Sequence, residues 1–95
     1  MPAYRFRDGR VLLDGDLTWQ QIDALTRKLL TLAGREGNMT IDLSAVRQCD
    51  SAGIAMLAAC MAVKRRQQDH LRLVNVPARL TTLLGVYGLE SVFVD

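Results

Sequence analysis

The strongest constraint on this 95-residue chain is the change of apolar period along it, from strand-like to helix-like and back. Tyr4-Arg5-Phe6-Arg7 alternates apolar and basic, the period of a half-exposed strand. Asp8-Gly9 reads as a hairpin turn into a second strand at Val11-Leu12-Leu13, and Asp14-Gly15 predicts a bend ahead of a helix. In that helix Thr18 is the expected N-cap, with Gln21 at capping-box spacing. Trp19, Ile22, Leu25, Leu29 and Leu32 form its apolar stripe, closed by Gly34 and Gly37. Met39 to Leu43 reads as a buried strand that gives way to a loop ending at Asp50-Ser51. Ser51 to about Asp69 is rich in Ala, Leu and Met and predicts a second helix, followed by a strand over His70 to Val76. Pro77 is placed to open a third helix, buried through Leu80, Leu83 and Leu84, and Ser91 to Val94 predicts a closing strand. The order β-β-α-β-α-β-α-β implies an α/β fold with a parallel or mixed sheet.

Length limits this to one domain, residues 1–95, with room for a single core. Hydrophobic residues make up 49% and charged residues 23%, which excludes a disordered chain. Twelve basic against ten acidic residues leave +2, too little for a strong nucleic-acid or anionic-membrane footprint. The few aromatics do not gather on a strand as a base-stacking platform requires. Ten of the twelve cations are Arg, a residue that favours paired contacts at a partner surface. Cys49 and Cys60 form no disulfide or zinc framework with a lone histidine, and reduced thiols point to a cytosolic setting. The N-terminal segment lacks the apolar core of a signal peptide. The uncharged stretch Ala52 to Val63 spans 12 residues, short of the roughly 20 that a membrane helix needs.

The chemistry-bearing segment is Ile41 to Leu57, where Asp50-Ser51 stands at the mouth of the second helix. The first N–H groups of a helix lack intrahelical partners, and its dipole favours negative charge there. Asp50 or Ser51 would serve as an N-cap, and a phosphate on Ser51 would meet the same free donors. Gly53 suits either close helix–sheet packing or the approach of a partner's backbone. On a helical wheel Ile54, Leu57, Ala58 and Met61 share the face expected on the sheet, while Ala52, Met56, Ala59 and Val63, with Cys60 beside them, fall on the opposite side. An apolar outer face either docks a partner or is covered by neighbouring elements. Lys64, Arg65 and Arg66 would flank it.

Asp14-Gly15-Asp16-Leu17, Ile41-Asp42-Leu43, Asp50-Ser51-Ala52-Gly53-Ile54 and the Pro77–Leu89 segment, in this order, resemble the STAS family, shared by sulfate transporters and anti-sigma factor antagonists. The resemblance implies a mixed β-sheet of four to five strands with helices packed mainly on one side. It also implies that Ser51 matches the serine phosphorylated by a kinase anti-sigma factor in the antagonist branch. That branch reads Asp-Ser-Ser-Gly-Leu-Gly, whereas Ala52 and Ala55 stand here at the second Ser and the last Gly. The sequence is closer to the MlaB branch, free-standing STAS proteins that bind the ATPase of a phospholipid-transporting ABC system. On that resemblance Asp50, Ser51, Ala52, Gly53, Met56, Ala59, Cys60 and Val63 form a partner-binding surface, cytoplasmic and peripheral to the inner membrane through the partner.

The expected function is therefore a non-catalytic accessory subunit of a lipid-transport ABC ATPase, the alternative being a phospho-switch that binds a kinase anti-sigma factor. An enzyme has little support: there is no Gly-x-x-x-x-Gly-Lys loop, no Cys-x-x-Cys, and His70 has no nearby acid pair. No cofactor or metal is expected, and no direct membrane insertion.

Overall fold

The computed structural model describes residues 3–88, so the strand expected at Ser91 to Val94 lies outside the described residues. The elements in chain order are β1 (Ala3–Arg7), β2 (Arg10–Leu17), α1 (Asp23–Ala33), β3 (Met39–Cys49), α2 (Ser51–Arg66), β4 (Leu71–Val74) and α3 (Ala78–Val86). One four-stranded sheet has the order β1-β2-β3-β4, with β1 antiparallel to β2 and the other pairs parallel. The α/β class and the mixed sheet are those that the alternating periods imply.

Alternation sorts the sheet into two faces. Val11, Leu13 and Leu17 of β2, Ile41 and Leu43 of β3, and Leu71 and Leu73 of β4 join one buried cluster with Leu25, Leu29 and Ala33 of α1, Ile54, Leu57 and Met61 of α2, and Leu80 and Leu84 of α3. The intervening Arg5, Arg7, Arg10, Asp14 and Arg72 are exposed. Each fully buried Leu or Ile stabilises the fold by about 1.5–3 kcal/mol.

Three local expectations are corrected. Asp14-Gly15 is not a bend but the interior of β2, where the register against β3 shifts twice. From Leu12↔Asp42 to Asp14↔Ala45, β3 advances three residues against two, and from Gly15↔Val46 to Asp16↔Gln48 two against one. Gly15 takes φ +104°, a left-handed value that a residue with a Cβ adopts only under strain. The same bulges carry β3 through to Cys49, so the strand reaches Asp50 with no loop between. The first helix begins at Asp23, not Thr18, because residues 18–21 form a turn closed by Gln21 N–H donating to the Thr18 carbonyl at 3.0 Å. Trp19 is 69% exposed and lies outside the apolar stripe that Leu25 and Leu29 continue.

The outer face assigned to α2 is also corrected. Met56 (2% exposed) and Cys60 (0%) belong to the core, because α1 packs against α2 and covers the flank that carries them. Ala52, Ala59 and Val63 are half-buried. Lys64 does not flank a surface. The residue is 1% exposed, and its ammonium donates to the carbonyls of Arg35 (2.7 Å) and Gly37 (2.6 Å), closing the connection between α1 and β3.

Candidate functional site

The site forms where β3 runs directly into α2. Asp50 is extended (φ −117°, ψ −168°) and caps the helix, its Oδ1 accepting the Ala52 N–H at 2.9 Å. Its Oδ2 accepts the Trp19 N–H at 3.0 Å, and its own N–H donates to the Leu17 carbonyl at 3.2 Å. One carboxylate therefore fixes both the start of α2 and the connection between β2 and α1. A neutral side chain with a single acceptor could not hold both amides.

Ser51 follows as the first helical residue, exposed, and its hydroxyl has no hydrogen-bond partner among the described residues. Behind it Gly53 is buried, and a Cβ there would lie 2.5 Å from Cys49 Sγ and 2.6 Å from the Leu17 carbonyl oxygen. Gly53 thus serves close packing of helix on sheet and is not available to a partner. The surface actually presented runs from Trp19 and Ser51 through the exposed Ala55 and Ala62 to Arg65 and Arg66, with Ala52, Ala59 and Val63 at its half-buried margins. Small side chains there leave the helix backbone close to whatever docks.

Of the residues singled out from the sequence, Asp50, Ser51 and Ala52 come together at the helix start. Gly53, Met56 and Cys60 are withdrawn into the core. Trp19, Ala55 and Ala62 were missed. The alanines are indistinguishable by type from the core-facing ones, and the pairing of Trp19 with Asp50 spans 31 residues with no local signature.

Beside the helix start, a cleft of about 610 Å³ is lined by Val46, Arg47, Gln48, Cys49, Pro77, Arg79 and Leu80. It opens because β4 pairs with β3 only as far as Asp42↔Val74. Arg79 crosses it, donating to the Arg47 carbonyl at 3.3 Å. The thiols offer no nucleophile. Burial, then the negative charge of Asp50, pushes Cys49 up to about 11, and burial alone pushes Cys60 up to about 11. Among the described residues no group of three His, Cys, Asp or Glu side chains is arranged to hold a metal ion. No helix among them is long and apolar enough to cross a membrane.

The molecule is thus a mixed-sheet α/β domain whose distinguishing feature is a capped strand-to-helix junction bearing an exposed serine. It belongs to the STAS domain family: the family profile described as Mlab, STAS domain matches residues 3–95. The chain is 27% identical over 85 residues to the anti-sigma-B factor antagonist of Bacillus subtilis (strain 168), covering 90% of this chain and 78% of that protein. Among solved structures, it resembles a candidate anti-sigma factor antagonist from Thermotoga maritima (TM-score 0.81, 15% identity, covering 98% of this chain and 83% of that one). It also resembles the phosphorylated form of the Bacillus cell fate determinant SpoIIAA (TM-score 0.74, 15% identity, covering 100% and 90%). At these identities the structural likenesses establish the fold.

Proposed function

We propose that this chain is a non-catalytic binding module of the anti-sigma factor antagonist type, which docks a regulatory protein through the Trp19–Ser51–Ala55 surface and is released by a phosphate on Ser51. The observation that carries the reading is the exposed Ser51 hydroxyl, without a hydrogen-bond partner among the described residues, directly after the Asp50 cap. The relationship to the Bacillus subtilis anti-sigma-B factor antagonist supports an anti-sigma factor as the partner class, and a phosphate switch requires that partner to be a kinase. In the switch, the Ser51 oxygen attacks the terminal phosphorus of a nucleoside triphosphate supplied by the partner, releasing the diphosphate and the hydroxyl proton. The phosphate adds about −1.5 to −2 charge beside the Asp50 carboxylate and across the docking surface. Like-charge repulsion and a desolvation cost then oppose binding.

A second reading, an accessory subunit of a phospholipid-transporting ABC ATPase, is favoured by the family description and by Ala52 and Ala55, which depart from the antagonist motif. On that reading Ser51 is a plain contact residue, and the chain reaches the inner membrane only through its partner.

Intact-mass measurement after incubation with magnesium-ATP and a kinase anti-sigma factor from the same genome separates the two. One phosphate, absent in Ser51→Ala, supports the switch. No phosphate, together with co-purification of the chain with the ABC ATPase, overturns it in favour of the accessory subunit.

A further inference from the structure

The face of the sheet that carries no helix among the described residues has a second feature that the site on α2 does not use. Side chains directly paired in register lie on the same face, which places Arg7, Arg10, Thr40 and Arg72 in one row across all four strands. Arg5, Leu12, Asp42 and Val74 form the next row. Arg7 and Arg10 stand opposite each other across an antiparallel pair, an arrangement of like charges that destabilises a sheet. Arg5 lies two residues along the same strand face, roughly 7 Å from Arg7. A cleft of about 570 Å³ is lined by these three arginines with Asp8, Leu12 and Asp42.

The two acids in the cleft do not quench it. Asp8 meets Arg7 at 3.8 Å with both side chains 93% exposed, a pair worth little in water. Asp42 is committed from below. Its Oδ2 accepts from Arg10 at 3.0 Å, and its Oδ1 from the Ser44 N–H at 2.9 Å and Asn75 Nδ2 at 3.3 Å. It thereby fixes the Arg10 guanidinium, whose side chain remains 54% exposed with further donors directed elsewhere. Asp14 lies on the same face, roughly 13 Å along β2 from Arg10 but diagonal to Arg5 across the β1–β2 pair. No ion pair joins it to Arg5 among the described residues, so it lowers the positive charge of the cleft without closing it.

We propose that this cleft is a second interaction surface, in which Arg5, Arg7 and Arg10 take a carboxylate from an acidic segment of a protein partner, with half-buried Leu12 as the floor. Guanidinium forks match planar carboxylates bidentately, and no lysine stands on the face. A bilayer is not the occupant. Of the exposed large apolar residues among the described ones, Tyr4 points to the opposite side of β1, and Trp19, Val86 and Tyr87 lie outside the strands, so none of these would enter lipid from this face. Arg10 stands seven residues from Leu17, roughly 23 Å along β2 from the start of α2. Both surfaces can therefore be filled at once, and this proposal stands independently of the Ser51 reading.

The test is a titration of isotope-labelled protein with hexaglutamate, followed by NMR of backbone amides and arginine side chains, with hexaglutamine as control. Shifts centred on Arg5, Arg7, Arg10 and Leu12, stronger than at the exposed Arg65 and Arg66, are the expected result. The double variant Arg5→Gln/Arg7→Gln, which removes no contact from the core, should weaken binding roughly tenfold or more, while Ser51→Ala leaves it unchanged. Shifts spread evenly over all arginines, or absent, overturn the proposal. So does flotation with phosphatidylglycerol vesicles that the same double variant abolishes, since that would make the face a lipid surface.

Discussion

The two ends of α2 carry polar groups of opposite fate. At its start Asp50 caps the helix and leaves the Ser51 hydroxyl exposed, with no hydrogen-bond partner among the described residues. At its last turn Lys64 is buried to 1% exposure, with its ammonium on two carbonyls of the connection from α1 to β3. Around it Gln67 donates to the Gly34 carbonyl at 2.7 Å, and Asp69 accepts the Gly37 N–H at 3.0 Å. Lys64, Gln67 and Asp69 at the C-terminal end are consumed by the fold; the Ser51 hydroxyl at the N-terminal end is left over for another molecule. Residue type does not distinguish them, since a lysine next to two arginines looks more solvent-exposed than a serine.

Substitution should separate the two ends sharply. Lys64→Ala leaves two carbonyls without their charged donor and a cavity in the core, and should destabilise the protein by roughly 2–4 kcal/mol. Chemical denaturation checks this; a loss below about 0.5 kcal/mol, the usual surface value, would show that the ammonium is solvated instead. Gly53→Ala should cost about 1–3 kcal/mol, because the added methyl meets the Leu17 carbonyl and Cys49 Sγ and the helix must move off the sheet. A variant as stable as the parent would return Gly53 to the list of partner contacts.

These two positions also mark what sequence could and could not disclose. Strand and helix order over the described residues was legible because the apolar period switches cleanly, as from Ile41 and Leu43 to Ile54 and Leu57. Asp50-Ser51 was legible because capping is local chemistry. Burial of Met56, Cys60 and Lys64 was not, since it depends on α1, whose docking brings residues about thirty positions distant against α2. Trp19 was misplaced for the same reason: capping-box spacing at Thr18 is a local signal, overridden by the hydrogen bond from Trp19 to Asp50. The bulges that extend β3 likewise arise from pairing with β2, and no pattern within β3 announces them.

Asp50→Ala tests the joint between the regions. Loss of the cap should cost about 0.5–2 kcal/mol, and the Trp19 amide should exchange faster with solvent than in the parent. Asp50→Asn, which can still cap through one oxygen, should recover stability without protecting both amides. If Trp19 stays protected in Asp50→Ala, the carboxylate is not what holds the connection. On the far sheet face, the Ser44 N–H, then Asn75 and Arg10, holds Asp42 down to about 2 despite its burial. A carboxylate depressed in the folded state contributes stability above its ordinary value of 3.8 that is lost as pH falls through about 2. Urea midpoints should therefore drop between pH 4 and pH 2, and Asp42→Asn should flatten that slope.

The smallest effect on stability belongs to the residue with the largest proposed effect on function. Ser51 is exposed, is not the cap, and its hydroxyl donates to nothing among the described residues, so Ser51→Ala should change stability by less than about 0.5 kcal/mol. Ser51→Glu places a charge beside Asp50 but also within the first helical turn, where the dipole welcomes it, so stability should again move little. Partner binding should respond differently: Ser51→Ala retains the docking surface, while Ser51→Glu sets a carboxylate into it. Trp19 is the only tryptophan in the chain, so its fluorescence reports directly on that surface while a partner is added. Equal binding by both variants would remove the electrostatic basis of the switch and leave Ser51 as a passive contact. A stability change as large as that of Lys64→Ala would instead mean that the two ends of α2 are not as different as their hydrogen bonds make them.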